Sequence, residues 1–86
     1  MKIVFLERGW EDYLWFQENE TKLLKKLNRL ITECVRTPYE GLGKPEPLKY
    51  DRQGYWSRRI DEYHRLVYTL EGDALIILSC RLHYNN

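Results

Sequence analysis

Little in this 86-residue sequence is available for cross-linking, for membrane insertion or for indiscriminate attachment to polyanions. There are only two cysteines, Cys34 and Cys80, each set among apolar residues. That is too few for a disulfide scaffold, and they read as two buried free thiols. Neither makes a metal-ligand spacing with the two histidines, His64 and His83, so no metal site is expected. No apolar run approaches the roughly 20 residues of a membrane span. The run that opens the chain, Ile3-Val4-Phe5-Leu6, leads directly into an acidic segment, so it reads as a strand and not as a signal peptide. A soluble, cytoplasmic protein is expected. The net charge of +1 and pI near 7.8 supply no global excess that would coat any nucleic acid, so binding to RNA would have to be local.

What the chain does have is apolar and aromatic material. With 43% hydrophobic and 14% aromatic residues it carries the composition of a folded domain rather than a disordered chain. Its length fits one domain over residues 1–86. Charge is also segregated. Glu7, Glu11, Asp12, Glu18 and Glu20 stand against Arg8 alone, net −4; Lys22, Lys25, Lys26, Arg29 and Arg36 against Glu33, net +4; and Lys49, Arg52, Arg58 and Arg59 against Asp51, net +3. Such blocks predict opposed acidic and basic surfaces, although a helical charge face is ordinarily only solvated.

A strand is predicted over 3–6, then a helix over 10–18 with Trp10, Tyr13, Leu14 and Gln17 along one side. A second helix is predicted over 21–36, where Leu23, Leu24, Leu27, Leu30, Ile31, Cys34 and Val35 follow the helical spacing. Thr37-Pro38 ends it. Two Gly and two Pro over 41–47 predict an ordered or extended loop. Strands follow over 55–60, 63–70 and 75–82, joined by Asp61-Glu62 and by a turn at Gly72-Asp73. The expected fold is α+β, with two N-terminal helices packed on one face of a small, mostly antiparallel sheet.

The hydrophobic pattern also suggests a register. A two-residue Gly72-Asp73 loop would mix apolar and polar residues on one face. A three-residue loop would pair Leu70 with Ile76, Tyr68 with Leu78 and Leu66 with Cys80 as a clean core face. The other face would then carry Arg65 opposite Arg81, with His83 diagonal to it and Arg58 joining across a two-residue first turn. His64 and Arg59 would fall on the core side.

Cleavage of RNA by its own 2′-hydroxyl needs a base, an acid and a cation, and no metal. Glu46, held between Pro45 and Pro47 with Lys44 and Lys49 nearby, is a candidate base. His83 can be the acid, because an ordinary histidine titrates near neutrality. Arg65 can brace the phosphorane with its planar fork. Tyr84 can stack on a base, although strict alternation points it to the core side unless the chain bends after His83. His64 competes with His83 for the acid role, and its core-side placement argues against it.

Four segments carry a resemblance. They are Gly41-x-Gly43-Lys44-Pro45-Glu46-Pro47-Leu48-Lys49, Gly54-Tyr55-Trp56-Ser57-Arg58-Arg59-Ile60, Glu62-x-His64-Arg65-Leu66-Val67-Tyr68 and Cys80-Arg81-x-His83-Tyr84. Together with Trp-Glu-Asp-Tyr in the first helix, they resemble the YoeB (Txe/YoeB) toxins of bacterial type II toxin–antitoxin modules, in the RelE-like superfamily, over nearly the whole chain. The resemblance implies a RelE-like microbial ribonuclease fold and a ribosome-dependent endoribonuclease that cuts mRNA in the A site and needs no cofactor. It implies Glu46 as general base, Arg65 as phosphate stabiliser, His83 as general acid, Tyr84 as a substrate-setting residue, and Lys49 and Arg59 as RNA contacts. The implied partners are the ribosome and a YefM-like antitoxin with an acidic, initially disordered tail, and operator DNA only through that antitoxin. The resemblance leaves room for a homodimer. Asn85-Asn86 extend past the usual His-Tyr ending. The ParE-like toxins, which act on DNA gyrase on a similar scaffold, lack this acid–base set. A non-catalytic partner of an antitoxin is the remaining alternative.

Overall fold

The first helix begins where the first strand stops, and a glycine lets it lie close against the sheet. In this computed structural model, which describes residues 1–82, strand β1 (Lys2–Phe5) is followed by α1 (Glu7–Asn19) and α2 (Thr21–Arg36). The face α1 buries is Gly9, Asp12 and Phe16, not the Trp10, Tyr13, Leu14 and Gln17 side; Trp10 is half exposed and Gln17 exposed. The reason is proximity to the sheet: a Cβ at Gly9 would lie 2.6 Å from the Ile77 carbonyl oxygen, so only glycine allows the helix to lie this close. The second helix follows its periodicity, burying Leu27, Leu30, Ile31 and Cys34 and stopping before Thr37-Pro38.

The chain then forms a short edge strand β2 (Glu46–Pro47), β3 (Trp56–Arg59), β4 (Arg65–Glu71) and β5 (Ala74–Ser79). The sheet order is β1-β5-β4-β3-β2, antiparallel except where β1 runs parallel to β5. β2 falls within the expected loop and adds a fifth strand. Phe16, Leu27, Leu30, Ile31 and Cys34 from the helices meet Ile60, Leu66, Tyr68, Leu75, Ile77 and Cys80 from the sheet side in one core. Cys34 and Cys80 are free and buried, as expected. No described helix is long and apolar enough to cross a membrane.

The β4–β5 register corrects the expectation. The loop is the two-residue Gly72-Asp73, with Glu71 opposite Ala74 and Leu70 opposite Leu75. Tyr68 then pairs with Ile77 but Val67 with Ser79, so Leu78 is an extra residue in β5. This bulge reverses the alternation, which lets Leu75, Ile77 and Cys80 all reach the core. Ile76 and Leu78, expected inside, are only half-buried. Beyond the bulge the strands stand in the register a three-residue loop would have produced.

The first hairpin is also longer than expected. Ile60 N–H donates to the His64 carbonyl at 2.9 Å, and Asp61 Oδ1 accepts from the N–H groups of Tyr63 (2.8 Å) and His64 (2.7 Å). That aspartate-stabilised turn spans three residues, and it changes which arginine faces where.

Candidate active site

Alternation along β3 decides the site. Arg58 pairs with Leu66 and Arg59 with Arg65, and directly opposite residues of an antiparallel pair share a face. Arg59 therefore stands beside Arg65 on the sheet face turned away from the core. The fully buried Arg58 lies on the helix side. Both assignments reverse the sequence expectation, and the three-residue turn is the cause.

Arg58 makes a structural clamp. Its Nη1 donates to the Leu42 carbonyl at 2.9 Å, its Nη2 to the carbonyls of Glu40 (3.0 Å) and Thr37, and its Nε to the Tyr68 hydroxyl at 3.1 Å. The Tyr68 hydroxyl in turn donates to the Pro38 carbonyl at 2.6 Å. One guanidinium and one phenol thus satisfy irregular backbone over residues 37–42 that no ladder could pair. Burial pushes the Tyr68 phenol up to about 12 and, against the opposing pull of Arg58, the Cys34 thiol up to about 11.

This clamp delivers Glu46. The Gly43 carbonyl accepts from Arg59 N–H at 2.7 Å. Gly43 itself has φ +87°, and a Cβ there would meet Leu30 Cδ2 at 2.8 Å, so both conformation and space require glycine. Three residues on, Glu46 pairs with Ser57. Ser57 and Arg59 share a face of β3, which puts Glu46 diagonal to Arg59, about 7–8 Å away. Glu46 is exposed, as is Lys49, which precedes a 3-10 turn over Tyr50–Arg52.

Arg65 is held from below. Its Nη1 donates to the carbonyls of Asp61 (2.7 Å) and His64 (3.1 Å), which aims the guanidinium with little freedom. Placing Arg59 directly opposite Arg65 sets like charges together, an arrangement that costs stability in a sheet and suits a face that receives a polyanion. The open face thus brings together Glu46, Arg59 and Arg65, with Lys49 on the segment just after β2.

Arg81 does not face Arg65. Its guanidinium carbon sits 3.9 Å over the Trp15 ring of α1, because the chain leaves β5 at Ser79 and bends. Here Asp12, which sequence reasoning gave no site role, and His64, weighed there only as a rival acid, hold the backbone. Asp12 Oδ2 accepts from Cys80 N–H at 3.0 Å, and His64 Nδ1 accepts from Leu82 N–H at 2.8 Å. His64 is buried, as expected, edge-on to Phe16 at 5.1 Å. His83 and Tyr84 lie outside the described residues. Among the described residues, no three His, Cys, Asp or Glu side chains gather as metal ligands would.

The sequence model of a family described as "YoeB-like toxin of bacterial type II toxin-antitoxin system" matches residues 5–84. A curated relative from Synechocystis sp., Toxin YoeB, is 60% identical over 98% of this chain and 98% of its own. The solved YoeB/ParE toxin from Agrobacterium tumefaciens superposes with a TM-score of 0.95 at 48% identity, covering 98% of this chain and 100% of that one. YoeB from Staphylococcus aureus, 46% identical over 98% of both chains, is solved as a dimer (TM-score 0.90) and in a heterotetrameric YoeB–YefM toxin–antitoxin complex (TM-score 0.88).

Proposed function

The chain belongs to the YoeB-like toxins of bacterial type II toxin–antitoxin systems, and from that premise we propose that it is an endoribonuclease, cutting mRNA in the ribosomal A site and so stopping translation in the bacterial cytoplasm. The observation that carries this reading is the open sheet face, where a carboxylate, Glu46, stands diagonal to Arg59, whose direct partner on the next strand is Arg65.

The chemistry follows from those groups. Glu46 takes the proton of a ribose 2′-hydroxyl, and the 2′-oxygen attacks the adjacent phosphorus. Arg65, braced by the Asp61 and His64 carbonyls, stabilises charge growing on the non-bridging oxygens. His83 protonates the departing 5′-oxygen, leaving a 2′,3′-cyclic phosphate and a 5′-hydroxyl. Tyr84 sets the substrate, and Lys49 and Arg59 hold the flanking phosphates.

The partner is proposed to be a YefM-like antitoxin whose acidic, initially disordered tail covers this basic face, with operator DNA reached only through it. Self-association is also proposed, since Ile3, Val4, Leu6 and Trp10 around the β1 edge are exposed. Size-exclusion chromatography alone and after co-expression checks both, and a lone monomer that ignores the antitoxin would count against them. Primer extension on a defined mRNA, with and without purified ribosomes, tests the activity. Cleavage only with ribosomes is expected; intact mRNA in both arms would reject the nuclease reading.

A further inference from the structure

His64 has no place in the chemistry above, yet its ring nitrogen is used. Nδ1 accepts the Leu82 N–H at 2.8 Å, so in the neutral ring the proton sits on Nε2. The ring is fixed edge-on to Phe16 and lies 5.8 Å from Trp15, over which the Arg81 guanidinium also sits. The Leu82 carbonyl accepts from Arg65 N–H at 3.3 Å. Leu82 is therefore gripped at both ends of its peptide framework, at φ +67°, a conformation a leucine does not adopt without external hold. Two residues earlier, Asp12 grips Cys80 N–H.

We propose that His64 is a positioning residue for the catalytic tail: by accepting the Leu82 N–H it fixes the point and direction from which the chain delivers His83, one peptide bond further on. The proposal rests on the acid role given to His83 above. The same hairpin carries Arg65, so a single turn sets the phosphate-binding cation through its carbonyls and the acid through the His64 ring. Directional error at a general acid is expensive, since a misplacement of about 1 Å can cost on the order of 10²-fold in rate.

The test uses the full chain. In the wild type, exchange of the Leu82 amide, followed by heteronuclear NMR, is expected to be slow; exchange at the unprotected rate would overturn the proposal without any variant. His64→Phe keeps a flat ring against Phe16 and removes the acceptor. It is expected to release the Leu82 amide while the Asp12-held Cys80 amide stays protected, and to lower kcat of mRNA cleavage on ribosomes about 10- to 100-fold with KM kept. His64→Asn, whose Oδ1 can stand near the position of Nδ1, is expected to restore part of both. Wild-type kcat in His64→Phe, or equal loss in the two variants, would overturn the proposal. If the wild type itself cut no mRNA, the nuclease reading would fall, while the Leu82 amide would still report on the grip.

Discussion

Two stretches of irregular chain, one before β2 and one after β5, are held in opposite ways. The segment over 37–43, which leads to Glu46, is pinned by donors: a fully buried guanidinium reaching three carbonyls and a phenol. The segment over 80–82, which leads to His83, is pinned by acceptors: Asp12 and His64 each taking one N–H. The first clamp is charged and multidentate, and every bond goes to a neutral oxygen, so its loss strands several buried groups at once. The second takes one bond at a time. The loop side of the site is thus tied to global stability, and the C-terminal side can be loosened without melting the core.

The largest effect should come from breaking the charged clamp. Arg58→Met is expected to cost about 1–3 kcal/mol for each carbonyl left buried and unpaired, read as a lowered midpoint in urea, and to abolish cleavage with it. A midpoint within error of wild type would mean that the 37–43 loop holds itself.

A smaller, functional effect is expected on the other side. Arg65→Lys keeps the charge and loses the fork proposed to bind phosphate while bonded to the Asp61 and His64 carbonyls. Cleavage should fall about 10²-fold with the thermal midpoint kept. A parallel fall in midpoint would show that Arg65, like Arg58, is chiefly structural.

The smallest effect is read in pH and touches both clamps alike. Burial raises Cys34 from 9.0 to about 11 and Tyr68 from 10.0 to about 12 beside Arg58, and Cys80 from 9.0 to about 12 beside Asp12. A raised folded pKa favours the neutral form, so this contribution is complete below the ordinary pKa values and is lost as pH climbs through the folded ones. Urea midpoints should hold level up to about pH 9 and then fall toward pH 12. Both thiols should alkylate slowly at neutral pH, and rapid labelling of the folded chain at pH 7.5 would contradict their burial.

The sequence made some of this plain and hid the rest for identifiable reasons. Helix α2 was legible because Leu27, Leu30, Ile31 and Cys34 obey one period and Pro38 stops it. His64 on the core side was legible from the alternation of β4. The Leu78 bulge was not, since one extra residue in a strand leaves no mark when its neighbours Ile76 and Ile77 are equally apolar. The Asp61 turn was one residue longer than its letters suggested, and that single residue exchanged Arg58 and Arg59 between faces. Of the candidate site, Glu46, Arg65 and Arg59 come together on the open face, whereas the burial of Gly9 and Asp12 follows from the approach of α1 to β5, a tertiary fact no local pattern in α1 encodes.

Both clamps exist, on this account, to bring a base and an acid to one phosphate. The most direct test is single-turnover cleavage of mRNA on programmed ribosomes by the wild type, Glu46→Ala and His83→Ala, each first shown folded by its thermal midpoint. Each substitution is predicted to slow cleavage by about 10²–10⁴-fold, because one removes the proposed general base and the other the proposed general acid. Cleavage at the wild-type rate by either folded variant would contradict the account.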